Sequence, residues 1–252
     1  MSLGLEGPEA DRDRSASVPA SYPEVSFAFQ PIVDVVTRQV VSYEALIRGV
    51  QNQPPPWVFG QVAAGDLHDF DQRSREVAIA LATKLGIACK LNLNFLPRSL
   101  DATGEPIRAT LATAERCGLS PDRLILEVTE GEVIDDHGRF AQIVNEFRGL
   151  GLQVAIDDFG AGHAGLNLLA DFQPDLLKLD MHLIRGIGRQ GPRQAIVRAI
   201  THVCEDLGID VLAEGVETLD EYQWLKSLGI RLYQGYLFAR PSFAALLAAH
   251  YP

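Results

Sequence analysis

The sequence predicts an α/β fold, a closed barrel of the TIM (β/α)8 type modified by an antiparallel first strand. Three observations predict it. From Val25 onward short apolar strands alternate with helical stretches, which implies parallel strands with right-handed crossovers. Eight such strands, near 25–33, 40–47, 89–94, 124–128, 152–157, 175–180, 210–214 and 230–234, fall within roughly 230 residues, the size of a closed barrel. Between Asp34 and Val40 there is room only for a hairpin, because a parallel crossover needs about a dozen residues. An open doubly wound sheet is the alternative arrangement of the same units.

The helices carry local signals. Phe140, Ile143, Val144 and Phe147 share one helical face, as do Ile196, Ile200, Val203 and Leu207, with Gly208 placed as a C-terminal stop. Thr218 and Glu221 make a capping box, and the helix that follows presents Tyr222, Leu225 and Leu228 inward and ends at Gly229. Residues 1–23 are rich in Ser, Pro, Gly and charge, and read as a disordered tail or a linker from an upstream domain, leaving 24–252 as the barrel domain.

The chain has 252 residues, 47% hydrophobic and 22% charged, enough for one large core. No apolar run approaches the ~20 residues that span a bilayer, and the N-terminus lacks the basic and apolar sections of a signal peptide, so a cytoplasmic domain without membrane insertion is expected. Cys89, Cys117 and Cys204 are far apart and in no metal-ligand spacing, which suits buried thiols in a reducing compartment. The formal net charge is −11, of which the first 23 residues supply only −2. An acidic body repels long nucleic acid, whereas a small anionic ligand can dock through bound cations.

The strand ending at Ile156 runs into adjacent carboxylates, Asp157 and Asp158, and then a glycine-broken turn through Gly160 and Gly162. Strand side chains alternate faces, so the two aspartates converge only where the chain leaves the strand, as those glycines permit. An Asp-Gly turn that merely ends a strand is the plain alternative. Polar residues recur late in the other strands: Glu44, Asn92, Glu127, Lys178, Glu214 and Gln234. In a barrel those ends form one face, where the fold carries its chemistry. So many carboxylates in one low-dielectric mouth repel one another and drive their pKa values upward unless cations are bound. Carboxylates with an amide form an all-oxygen ligand set, which suits magnesium or manganese rather than zinc.

Lys178 interrupts an apolar strand, where an ammonium needs partners. It could hold a water or steady a phosphoryl oxygen, or it could simply pair with Asp157 or Glu127. Arg48 follows Glu44 by four residues and could grip a phosphate, or lie on the surface. His163 stands alone in a glycine-rich loop and joins no ligand set.

Taken together these residues resemble the EAL-domain family, bacterial phosphodiesterases that hydrolyse cyclic di-GMP. Phe29-Gln30-Pro31-Ile32-Val33-Asp34 resembles the family's opening strand, and Glu44-Ala45-Leu46 with Arg48 its signature. Asn92, Glu127-Val128-Thr129-Glu130, Asp157-Asp158-Phe159-Gly160, Lys178 with Asp180, Ala213-Glu214-Gly215-Val216-Glu217-Thr218 and Gln234-Gly235-Tyr236 follow in the family's order. The resemblance implies that Glu44, Asn92, Glu127 and Asp157 bind one Mg2+ or Mn2+ ion, and that Asp157, Asp158 and Glu214 hold or border a second. It implies that Lys178 and Gln234 position the nucleophilic water and that Glu217 anchors the loop after Asp158. Gln30, Leu46 and Arg48 would touch the dinucleotide. The family's barrel also has an antiparallel first strand, and dimerisation is expected by resemblance alone.

Two departures stand out. Ala161, His163, Ala164 and Gly165 replace polar positions in the loop that usually reads Asp-Asp-Phe-Gly-Thr-Gly-Tyr-Ser-Ser, and Gly49 replaces a commonly aromatic position. The expected activity is two-metal hydrolysis of cyclic di-GMP to linear pGpG. A catalytically idle cyclic di-GMP receptor is a second possibility, and a barrel enzyme using one metal to stabilise an enolate is a third.

Overall fold

The computed structural model describes residues 22–96, 104–129, 137–161, 169–170 and 172–252. The expected tail falls outside these residues up to position 21, and so does the 162–165 part of the departing loop. Strand β1 (Val25–Asp34) and β2 (Gln39–Gly49) form the antiparallel hairpin inferred from loop length, with Gln30 opposite Glu44. Asp34 builds its turn by accepting from the backbone N–H groups of Val36 and Thr37, at 2.8 and 3.2 Å, while its other oxygen accepts from Arg231 at 2.7 Å. An Asx turn of this kind replaces the backbone bonds that the reversal removes.

Parallel strands then proceed in order through β3 (Lys90–Asn94), β4 (Leu124–Thr129), β5 (Gln153–Phe159), β6 (Leu176–Leu179), β7 (Asp210–Ala213) and β8 (Leu232–Tyr233). β1 pairs with both β2 and β8, which closes the barrel and removes the open-sheet alternative. A short ninth strand, β9 (Ser242–Phe243), adds antiparallel to β1 and was not foreseen, since two residues carry no periodicity.

The helices are α1 (Pro55–Phe59), α2 (Leu67–Lys84), α3 (Glu105–Arg116), α4 (His137–Arg148), α5 (Met181–Ile184), α6 (Gly191–Leu207) and α7 (Leu219–Ser227). On α6 the expected buried face is corrected. Val197, Ile200 and Cys204 are buried, whereas Ile196 and Leu207 are 49% and 43% exposed. Two apolar tracks run along this helix, and the one turned to the barrel is offset from the other by a residue. Gly208 ends it in the left-handed region, φ 71°. The Thr218–Glu221 capping box on α7 forms as expected, and the buried Glu221 carboxylate reaches further to accept from Gly186 at 2.8 Å. Of the three free cysteines only Cys204 is buried; Cys89 and Cys117 are partly exposed.

The core has two parts. The larger packs the outer faces of the strands against the helices, and the smaller joins Ile32, Ile125, Ala155, Leu176 and Leu212. Because residues two apart share a strand face, this second layer is a plug directly beneath the polar ladder. Ile125 precedes Glu127, Ala155 precedes Asp157, Leu176 precedes Lys178, and Leu212 precedes Glu214, each by two positions. On the reversed β1 the order inverts, and Ile32 follows Gln30.

Gln234 reaches the site through a tight crossing of chain. A Cβ at Gly235 would lie 2.1 Å from the Val216 carbonyl oxygen, which also accepts from Leu237. Backbone cannot yield as a side-chain tip does. Gly235→Ala should therefore lower stability by about 3 kcal/mol, read from the urea midpoint at unchanged slope.

Candidate metal centre

Lys178 lies at the centre of the mouth, with 1% of its side chain exposed. Its Nζ stands 2.6 Å from Glu214, 2.8 Å from Asp157, 2.9 Å from Glu127 and 3.6 Å from Glu44. It is not the simple pair with one carboxylate that an isolated strand lysine suggests. Asn92 donates to Glu127 at 2.8 Å, and Gln234 donates to Glu44 at 2.7 Å and to Gln30 at 3.3 Å. All seven ladder residues thus meet in one connected network.

Burial pulls the Lys178 ammonium toward neutrality, but Asp157, Glu127, Glu214 and Glu44 overcome it and hold its pKa well above the ordinary lysine value. One ammonium cannot balance four carboxylates. Burial, with the repulsion of Glu44 and Asp157, raises Glu127 to about 8 despite Lys178 and Asn92. Burial together with Asp157 and Glu44 also places Glu214 well above its ordinary value. Asp158 is pushed up to about 6 by burial and by Asp157 and Asp180. A cation placed among these carboxylates would neutralise the charge that otherwise favours their protonation.

The bend between the two aspartates is made differently from the glycine break that their sequence suggests. β5 continues through Phe159, and its pairing with β6 slips between Ile156 and Phe159. Asp158 itself adopts φ 53°, a left-handed conformation that aspartate tolerates, and its N–H donates to Asp157 Oδ1 at 2.9 Å. The bulge turns Asp158 out of the strand alternation. Asp157, Asp158 and Glu214 consequently offer oxygens within 4.8 Å of one another, and Glu44, Glu127 and Asp157 form a second such group. Asp157 belongs to both.

Two buried oxygens lack a hydrogen-bond partner among the described residues, Asn92 Oδ1 and Glu127 Oε2. Both are hard acceptors beside the Glu44 group, and an all-oxygen set with unmet acceptors fits a magnesium- or manganese-type cation.

The centre opens into a cavity of about 400 Å3 walled by Gln30, Leu46, Asp158, Glu217 and Tyr236, among others. Arg48 is not among the residues lining it; half-buried at the end of β2, it donates to the Ile47 carbonyl at 2.8 Å. Glu217 pairs with Arg185 at 2.7 Å, and the loop that it was expected to anchor lies outside the described residues from position 162, His163 included. A Cβ at Gly49 would clash first with the Gln53 side chain and also with the Trp57 ring at 2.8 Å, so these two side chains occupy the space beside it.

Asn94, Asp180, Met181 and Tyr236 also line the cavity, and none was assigned a role from sequence. Asn94 repeats the strand-end pattern two residues after Asn92, a usable signal. Asp180 caps α5 by accepting from the His182 N–H at 2.7 Å, which an Asp before a short helix foretells.

Fold and site define an α/β-barrel protein with a divalent-cation-type acidic centre at the strand ends. The chain belongs to the EAL domain family, whose model matches residues 15–241. It is 43% identical to a standalone versatile EAL protein from Vibrio cholerae O395 in c-di-GMP-bound form, covering 92% of this chain and 98% of that one at a TM-score of 0.87. A Klebsiella pneumoniae BlrP1 manganese/cy-diGMP complex at pH 9.0 is 44% identical with a TM-score of 0.83, over 90% of this chain and 58% of that one. The blue light- and temperature-regulated antirepressor BluF of Escherichia coli K12 is 37% identical over 90% of this chain. The chain spans 56% of BluF's length. No helix among the described residues is long and apolar enough to cross a membrane.

The raised carboxylate makes a pH prediction for metal-stripped protein. A folded Glu127 titrating near 8 against 4.5 when unfolded binds more protons in the folded state between those values. Its contribution is complete below pH 4.5 and lost as pH rises toward 8. Urea unfolding in chelator should show stability falling across that window, and Glu127→Gln should flatten the fall by about 1–3 kcal/mol.

Proposed function

We propose that this chain is a divalent-cation-dependent phosphodiesterase that hydrolyses cyclic di-GMP to linear pGpG. The observation that carries the reading is the pair of carboxylate groups sharing Asp157, open to a cavity that Gln30 and Leu46 also wall. Support comes from the cyclic di-GMP complexes of the Vibrio and Klebsiella relatives, and from Escherichia coli PdeR, a cyclic di-GMP phosphodiesterase 41% identical over 116 residues.

In this reading Glu44, Asn92, Glu127 and Asp157 hold one Mg2+ or Mn2+ ion, and Asp157, Asp158 and Glu214 hold the second. When bound, such ions supply Lewis-acid stabilisation of phosphoryl charge and a water acidic enough to attack at neutral pH. The chain's own groups do the rest. Lys178 keeps its proton among the carboxylates, so it can orient the water or offset charge on a phosphoryl oxygen. Gln234 fixes Glu44 through its amide and presents its remaining polar capacity to the water. Attack joins the water oxygen to phosphorus as one phosphorus–oxygen bond to ribose breaks, and the departing oxygen takes a proton. Gln30 and Leu46 contact the dinucleotide, Arg48 swings from Ile47 to a phosphate at the rim, and Glu217 with Arg185 steadies the neighbouring loop. The protein acts in the cytoplasm as a homodimer, under the control of an upstream sensor domain.

An idle cyclic di-GMP-binding module is the second reading, favoured by the antirepressor name of BluF. Chromatography of purified protein incubated with cyclic di-GMP and manganese separates the two. Appearance of pGpG supports the enzyme; tight binding with no pGpG under any metal condition establishes the receptor. Glu44→Ala and Asp157→Asn should each lower turnover by more than about 100-fold, beyond the losses that outer-sphere changes cause, with unchanged circular dichroism. Wild-type turnover in either variant would refute the ligand assignment.

A further inference from the structure

A second cavity lies on the other side of the barrel wall. It measures about 300 Å3 and sits between the outer faces of β1 to β3 and helices α1 and α2, walled by Phe27, Phe59, Ala78, Leu93 and Phe95. Leu46 and Asn94 line both this cavity and the acidic one, so the two meet at the rim.

The polar feature of this pocket is Arg75, only 2% exposed on α2. Its Nη1 is bound to the Asp71 carboxylate, its Nε donates to Thr110 Oγ1 at 3.1 Å, and its guanidinium lies 4.7 Å from the centre of the Phe95 ring. Those contacts tie α2 to α3 and account for a structural role. They leave Nη2 without a hydrogen-bond partner among the described residues. A buried donor without an acceptor is costly, and Arg75 is among the residues that line a space large enough to hold one.

We propose that this cavity binds a small, flat, uncharged ligand that offers one carbonyl-type acceptor to Arg75 Nη2. Planarity follows from the rings of Phe27, Phe59 and Phe95 in the wall. Neutrality follows from Asp71, which already pairs with the guanidinium and lines the same cavity, so an anion would meet an acidic group as well as an arginine. Size sets one or two rings, since an apolar cavity of about 150 Å3 holds benzene. A ligand there would touch Leu46 and Asn94, which also line the acidic cavity.

Three probes of matched shape test the assignment by calorimetric titration of the full chain: isoquinolin-1-one, naphthalene, which lacks the acceptor, and anionic 1-naphthoate. Isoquinolin-1-one should bind about tenfold more tightly than naphthalene, the worth of one buried hydrogen bond. Crystals soaked in it should show the carbonyl at Arg75 Nη2. Ala78→Leu should abolish binding by filling the space, and Phe59→Ala, at the exposed rim, should weaken it if the first variant fails to fold. Equal affinity for naphthalene, tighter binding of naphthoate, or no binding with only an ordered water on Nη2 would each overturn the proposal.

Discussion

The ammonium of Lys178 is the interaction on which the site depends. Glu44, Glu127, Asp157 and Glu214 come from four strands, and without a central positive charge their approach to within 4.8 Å in small groups would be strongly repulsive. The lysine gathers them but does not neutralise them. Burial, together with the repulsion that the lysine leaves uncancelled, raises the pKa values of Glu127 and Glu214.

The layer below the cluster is apolar. Ile32, Ile125, Ala155, Leu176 and Leu212 fill the barrel two residues beneath the ladder with buried apolar side chains. The same alternation that turns Glu127 and Asp157 inward turns Leu126, Val128 and Ile156 outward onto the helices. Apolar packing and the polar cluster thus occupy different residues of the same strands.

Much of this was legible in the sequence. Strand ends, the hairpin and the capping box have short-range signals, and the ladder shows itself because Glu127, Lys178 and Gln234 stand in otherwise apolar strands. Three things were not legible. The buried face of α6 could not be chosen between two apolar tracks, because the choice is made by the partner surface. The bend at Asp158 coincides with a register slip against β6, a tertiary feature with no short-range signal, while Gly160, at φ 98°, turns the chain two residues later. Asp71 and Arg75, four residues apart on α2, carry no sign of burial in the sequence, and Arg75 meets Thr110 of α3 and the Phe95 ring just after β3 only in the fold.

The hairpin has a consequence for how such a domain can be addressed. In an ordinary barrel the first strand starts at the face opposite the functional one. Here β1 is reversed, and Val25 pairs with Gly49, beyond Glu44 on the mouth side. Tyr22 then leans on α2, 5.9 Å from the ring of Phe70 and within 5.1 Å of the Arg73 guanidinium. A segment joined ahead of Val25 is therefore delivered beside the acidic centre, and five residues of strand carry any pull upon it to Gln30. The polarity of one strand decides that this barrel is wired from the top.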